Sequence, residues 1–130
     1  MSINPSTKGI HHVALRCSDM ERTKYFYQTT MGLPLALETP ELLAFLAGSV
    51  IVVFKQATPV HQEDTAFTPF NIGLDHIALT CESEDELNRV AKGLADAGIE
   101  NTGVKLDETL QKLYVAFKDP DRIQCEFYMQ

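Results

Sequence analysis

Six residues near the start of the chain, His12-Val13-Ala14-Leu15-Arg16-Cys17, return 64 positions later as His76-Ile77-Ala78-Leu79-Thr80-Cys81. Four of the six positions are identical and a fifth exchanges Val for Ile. Internal similarity at a fixed offset means the same supersecondary unit is built twice, and such a unit does not bury its apolar face alone. The segments that follow match in kind. After the first copy, Ser18-Asp19 opens an amphipathic stretch to Thr30 and then Gly32. After the second, Ser83 to Glu86 opens a helical stretch to Ala97 and then Gly98. Ser83 with Glu86 three residues on is a capping-box pattern. Each glycine stands where a helix C-terminus favours a left-handed residue.

Each copy continues in strands. Leu42 to Ala47 and Val50 to Lys55 flank Gly48-Ser49, and Leu113 to Lys118 and Ile123 to Met129 flank Asp119-Pro120-Asp121-Arg122, both hairpin patterns. Leu33 to Thr39 and Ile99 to Lys105 supply one further short strand each. The order strand, helix, three strands, given twice, predicts an α+β fold of two modules within one domain over residues 1–130. The modules are residues 8–55 and 74–130, joined by the Pro- and Thr-rich linker 56–73. A single four-stranded sheet would leave one face uncovered, so the two sheets are expected to pack or curl around a shared concave space, the natural place for a site.

Composition narrows the partners. The 130 residues carry a net charge of −7 with no basic cluster, whereas nucleic acid and acidic membranes require a basic footprint. With 45% hydrophobic and 22% charged residues, the chain has the balance of a folded globular domain. No apolar run approaches a membrane span, and Met1 to Lys8 lack the apolar stretch of a secretion signal, so a cytoplasmic protein is expected. Three cysteines without CxxC spacing imply no disulfide framework.

Side chains alternate across a strand. On the first strand Ile10, His12, Ala14 and Arg16 share one face, and His11, Val13, Leu15 and Cys17 the other. In the second copy His76, Ala78 and Thr80 share a face. On the last strand Gln124, Glu126 and Tyr128 do so, with Cys125 and Phe127 opposite. If the polar faces line the concave space, His12, His76 and Glu126 converge there. Two imidazoles and a carboxylate form the facial triad of a divalent first-row metal. A buried carboxylate without a metal or partner is costly, which favours the same reading. Arg16, Thr80, Tyr114, Gln124 and Tyr128 share those faces and are the candidate substrate contacts. Arg16 reads equally well as a rim residue. His11 points away and reads as a supporting or structural residue, His61 as a solvated loop residue. Cys17, Cys81 and Cys125 read as small core hydrophobes.

Gly9-Ile10-His11-His12-Val13-Ala14-Leu15, Leu74-Asp75-His76-Ile77-Ala78-Leu79 and Phe117-Lys118-Asp119-Pro120-Asp121 followed by Glu126-Phe127 resemble the vicinal-oxygen-chelate superfamily of glyoxalases, extradiol dioxygenases, fosfomycin- and bleomycin-resistance proteins. The resemblance spans residues 8–130. It implies paired βαβββ modules in an open, curved mixed sheet around a central cup, holding Fe, Mn, Ni, Co or Zn through His12, His76 and Glu126. There the ion chelates adjacent oxygens of a small substrate, with Glu126 also the candidate for moving a proton. A homodimer is implied as well. Three departures refine the reading. Val53 stands where glyoxalase I has a fourth, carboxylate ligand. Ala116, with Tyr114 two residues earlier, stands where extradiol enzymes have a tyrosine. Arg122-Ile123 replaces the usual Gly-Asn after the turn. Because that dioxygenase tyrosine is absent, lyase or isomerase chemistry is favoured over ring cleavage. The alternatives are a metal-free drug- or metabolite-sequestering protein of the bleomycin-resistance type and a fosfomycin-type thiol transferase.

Overall fold

A computed structural model describes residues 1–59 and 65–130; His61 lies outside the described residues. The chain divides into two units, Met1–Gln56 and Ala57–Gln130. Each holds an open four-stranded mixed sheet, giving the expected α+β fold twice.

In the first unit the strands are β1 (His12–Cys17), β2 (Leu35–Thr39), β3 (Leu42–Ala47) and β4 (Val50–Gln56), in the spatial order β1-β4-β3-β2. β1 runs parallel to β4 and the remaining pairs are antiparallel. Between β1 and β2 lies helix α1 (Met20–Lys24), whose Asp19 side chain accepts from the Arg22 N–H at 3.0 Å. Asp19 thereby satisfies one of the donors that a helix start leaves open. The helix continues as a π-helical segment over Tyr25–Thr30, closed by the Met31 N–H bonding to the Phe26 carbonyl five residues back. This wide turn buries two consecutive aromatics, Phe26 and Tyr27. Tyr27 packs on Phe54 at 4.6 Å and Phe45 at 5.7 Å between ring centroids. The core on this side of the sheet is aromatic, with Leu43 and Cys17 filling its edges.

The second unit repeats the plan with β5 (Ile77–Cys81), α2 (Glu84–Asp96), β6 (Lys105–Asp107), β7 (Lys112–Lys118) and β8 (Gln124–Met129), in the order β5-β8-β7-β6. Ser83 caps α2 by accepting from the Glu86 N–H at 3.1 Å. The reciprocal half of the expected capping box is replaced by an ion pair, since the Glu86 carboxylate binds the Arg89 guanidinium. At the far end Gly98 has φ +71° and the Ile99 N–H reaches the Leu94 carbonyl, closing the helix as glycine there permits. Leu87 and Leu94 are buried where the helix packs on β7 and β8, strands that bury Val115, Phe117 and Cys125 in turn.

The expected strand over Ile99 to Lys105 is corrected by the structure. Asn101 makes only an isolated bridge to Phe117. Its side chain donates to the Ile99 carbonyl and accepts from the Gly103 N–H, both at 2.8 Å. This local turn competes with the ladder, and pairing resumes only at Lys105. The Asp119 turn holds as expected: Oδ1 accepts from the Asp121 and Ile123 N–H groups, both at 2.9 Å. Arg122 occupies φ +64°, a left-handed position that a glycine takes without strain. The three cysteines are buried on the helix side of their sheets, as their register implies.

Candidate functional site

Residues paired across a ladder project from the same face. In the second sheet Ala78 pairs with Glu126 and Glu126 with Ala116, so the carboxylate rises from the central strand between two methyl groups. Its position is 8% exposed. Burial pushes the Glu126 carboxyl above the usual carboxylate range. The neighbouring charge of His76 opposes this, while Asp107 and Asp75 reinforce it. His76, one residue before β5, brings Nε2 to 3.4 Å from Glu126 Oε2, longer than an ordinary N–H···O bond. Its other ring nitrogen, Nδ1, lies 2.6 Å from Asp75 Oδ1. An ionised carboxylate only accepts, so Nδ1 carries the hydrogen. In the neutral ring Nε2 then presents a lone pair toward Glu126.

Two electron-rich atoms facing each other need a positive charge between them. A proton held between Nε2 and the carboxylate supplies one, and a divalent cation supplies another. The donor chemistry suits a first-row ion: an imidazole with its far nitrogen tied to a carboxylate is the usual form of a metal-binding histidine.

The neighbouring row of this face holds Thr80, Tyr128 and Tyr114. The two tyrosine rings stack with centroids 6.0 Å apart. The Tyr128 hydroxyl donates to Asp107 Oδ2 at 2.7 Å. Burial first, and this hydrogen bond second, push the Tyr128 phenol up to about 12. The same bond, ahead of the backbone Thr109 N–H, holds Asp107 below the usual range. On the other side of Glu126, Gln124 accepts from the Lys118 ammonium at 3.0 Å.

In the first unit the equivalent row is Ala14, Val53 and Ala44, with Val53 where the second sheet has Glu126. His12 opens β1, and its Nδ1 lies 2.9 Å from His11 Nδ1. One ring donates and the other accepts. Arg16 donates to the Gln56 carbonyl at 2.9 Å, so its guanidinium ties down the end of β4. Among the described residues no group of three or more His, Cys, Asp and Glu is gathered so as to hold a metal ion. The pair brought together is His76 with Glu126; His12 belongs to the other unit. The sequence reading left Asp75 and Asp107 without a role. Asp75 occupies the repeat position of His11, a signal the duplication carried. Asp107 was hidden by the misplaced strand.

A family model described as Glyoxalase/Bleomycin resistance protein/Dioxygenase superfamily matches residues 9–127. A Bacillus subtilis (strain 168) protein known as uncharacterized protein YwkD is 34% identical, with 95% of this chain and 98% of that protein covered. The glyoxalase family protein from Enterococcus faecalis has the same fold with TM-score 0.76 and 26% identity, over 93% of this chain and 97% of that one. So does lactoylglutathione lyase from Agrobacterium tumefaciens, with TM-score 0.75 and 18% identity, over 95% of both chains.

Proposed function

The chain belongs to the Glyoxalase/Bleomycin resistance protein/Dioxygenase superfamily, and from that premise we propose that it is a metal-dependent enzyme acting on a small molecule with adjacent oxygens. The ligands in this reading are His12, His76 and Glu126. The observation that carries it is the Asp75–His76–Glu126 line, in which one imidazole nitrogen is held by Asp75 at 2.6 Å and the other faces a buried carboxylate at 3.4 Å. A bound divalent ion would supply Lewis-acid polarisation of the substrate oxygens. Two imidazoles and one carboxylate leave such a site with a net charge of about +1, which suits an anionic chelate.

The chain's own groups do the rest. Ala78 and Ala116 leave room over the carboxylate. Glu126, already pushed toward protonation by burial, is the group able to take up or deliver a proton beside the ligand. Tyr128, held by Asp107, and its stacking partner Tyr114 offer an aromatic wall, and Thr80, Gln124 and Arg16 offer polar contacts. Lyase or isomerase chemistry is favoured over ring cleavage because Ala116 fills the position of the dioxygenase tyrosine. The family resemblance also favours a homodimer.

The test is metal content by plasma mass spectrometry on tag-free protein purified without chelator or nickel resin. About one equivalent of a transition metal per chain, lost in Glu126→Ala while the fold persists, is the expected result. Iron would point to ring cleavage; nickel, zinc or cobalt to isomerase or lyase chemistry. A second reading, a metal-free binding protein, is favoured by one observation: a protonated Glu126 can itself bridge to His76 Nε2. Under that reading the protein holds no metal even after metals are added, and a His12→Ala/His76→Ala variant keeps its ligand affinity.

A further inference from the structure

The residue just before each candidate histidine ligand reaches back to that histidine's Nδ1. Asp75 does so on His76 at 2.6 Å and His11 on His12 at 2.9 Å. Asp75 and His11 occupy the same position of the internal repeat, 64 residues apart, so the two contacts are the same device built twice with different chemistry. The side chains meet because both residues stand ahead of the ladder: β1 begins at His12 and β5 at Ile77. The strict alternation that would send consecutive side chains to opposite faces is not yet imposed there.

We propose that Asp75 and His11 are positioning residues that set the tautomers of His76 and His12, and that they do so unequally. This rests on the reading that His76 and His12 bind metal through Nε2. A carboxylate cannot donate, so Asp75 presets the neutral His76 ring as the Nδ1–H form, with no hydrogen on Nε2 before a metal arrives. Two imidazoles sharing one hydrogen form a symmetric pair. Either His12 donates to His11, leaving His12 Nε2 free, or His11 donates to His12, placing the hydrogen of His12 on Nε2 and closing it to a cation. The first module's histidine is therefore convertible and the second module's is fixed. A cation binding at His12 selects the first form: the shared hydrogen passes from His11 Nδ1 to His12 Nδ1, the hydrogen on His12 Nε2 leaves to solvent, and His11 Nε2 takes one up from solvent. The two rings exchange tautomers, and the pair as a whole neither gains nor loses a proton.

Long-range proton–nitrogen correlation spectra of the whole, nitrogen-15-labelled protein, recorded metal-free at a pH well above the ordinary imidazole pKa of about 6.5, read the tautomers directly. His76 is expected wholly as Nδ1–H and His12 as a mixture. Asp75→Ala should turn His76 into a mixture, and Asp75→Asn, whose amide can accept or donate, should give an intermediate population. Asp75 and His11 are exposed, so these variants are expected to fold. Added zinc should bring His12 to Nδ1–H. Zinc affinity by chelator competition should fall about 10–100-fold in Asp75→Ala and less than tenfold in His11→Ala. A His76 ring found as Nε2–H in the wild type overturns the proposal. So does an Asp75→Ala protein with unchanged tautomer, or one whose tautomer changes while zinc affinity does not. A wild-type protein that binds no zinc overturns the metal reading instead, and the metal-free spectra still decide the tautomers.

Discussion

The middle of each sheet carries the same frame around a different residue. In the first unit Val53 stands between Ala14 and Ala44; in the second Glu126 stands between Ala78 and Ala116. The topology, the parallel pairing of the first and last strands and the small flanking residues are common to both, so they belong to the architecture. The central side chain is free to differ, and there one unit acquires a buried, titratable group while the other stays apolar. Behind the sheets the units differ as well. A widened helix presses Tyr27 onto Phe45 and Phe54 in the first unit, whereas a regular helix seats Leu87 and Leu94 in the second. A duplicated fold thus tolerates divergence in its core and in its site independently.

That independence can be broken on purpose. The largest effect is expected in the aromatic core: Phe54→Ala should cost about 4 kcal/mol by urea denaturation, with the tautomer of His76 in the second unit unchanged under native conditions. Grafting the second unit's carboxylate onto the first, Val53→Glu, should cost about 3 kcal/mol without metal, since a charge is buried beside two methyl groups. A smaller loss would mean that His11 and His12 already offer it a partner. The reverse graft, Glu126→Val, should abolish metal binding yet stabilise the metal-free protein by about 1 kcal/mol, a common result when a functional polar group is removed from a buried position. It would be seen as a few degrees in Tm.

The smallest effect is on pH. The Tyr128 phenol titrates near 12 when folded and near 10 when unfolded. The folded chain therefore holds one more proton between those values, and its stability falls as pH rises through that window. Ultraviolet titration should show the Tyr128 phenol ionising late. Tyr128→Phe should remove that late step, and Asp107→Asn should draw it back toward the ordinary value. An unchanged late step in Asp107→Asn would assign the shift to burial alone.

The duplication made much of this legible from residues alone. An offset of 64 residues aligned His12 with His76 and placed Ala14, Arg16, Ala78 and Thr80 on the faces the strands present. The buried, helix-facing thiols and the position of Glu126 on its face followed from the same alternation. What escaped depends on departures from alternation. Asp75 and His11 precede the ladders, where neighbours can fold onto one another. Asp107 lies on a strand that starts late because Asn101 spends its amide on a local turn. The ion pair of Glu86 with Arg89 in place of a full capping box reflects a competition between two good partners three residues away on either side, which spacing alone does not resolve.

The two alanines beside Glu126 have a consequence for how such a protein can change over generations. They flank Glu126 on the two neighbouring strands, each with only a methyl group. Enlarging Ala78 or Ala116 by one or two carbons would crowd the carboxylate from one side or the other and leave the helix and the strand pairing as they are. Under the proposed function, two positions would then select the size of the small molecule and a third its chemistry, so a lineage could exchange one small molecule for another in single steps without first dismantling its chemistry.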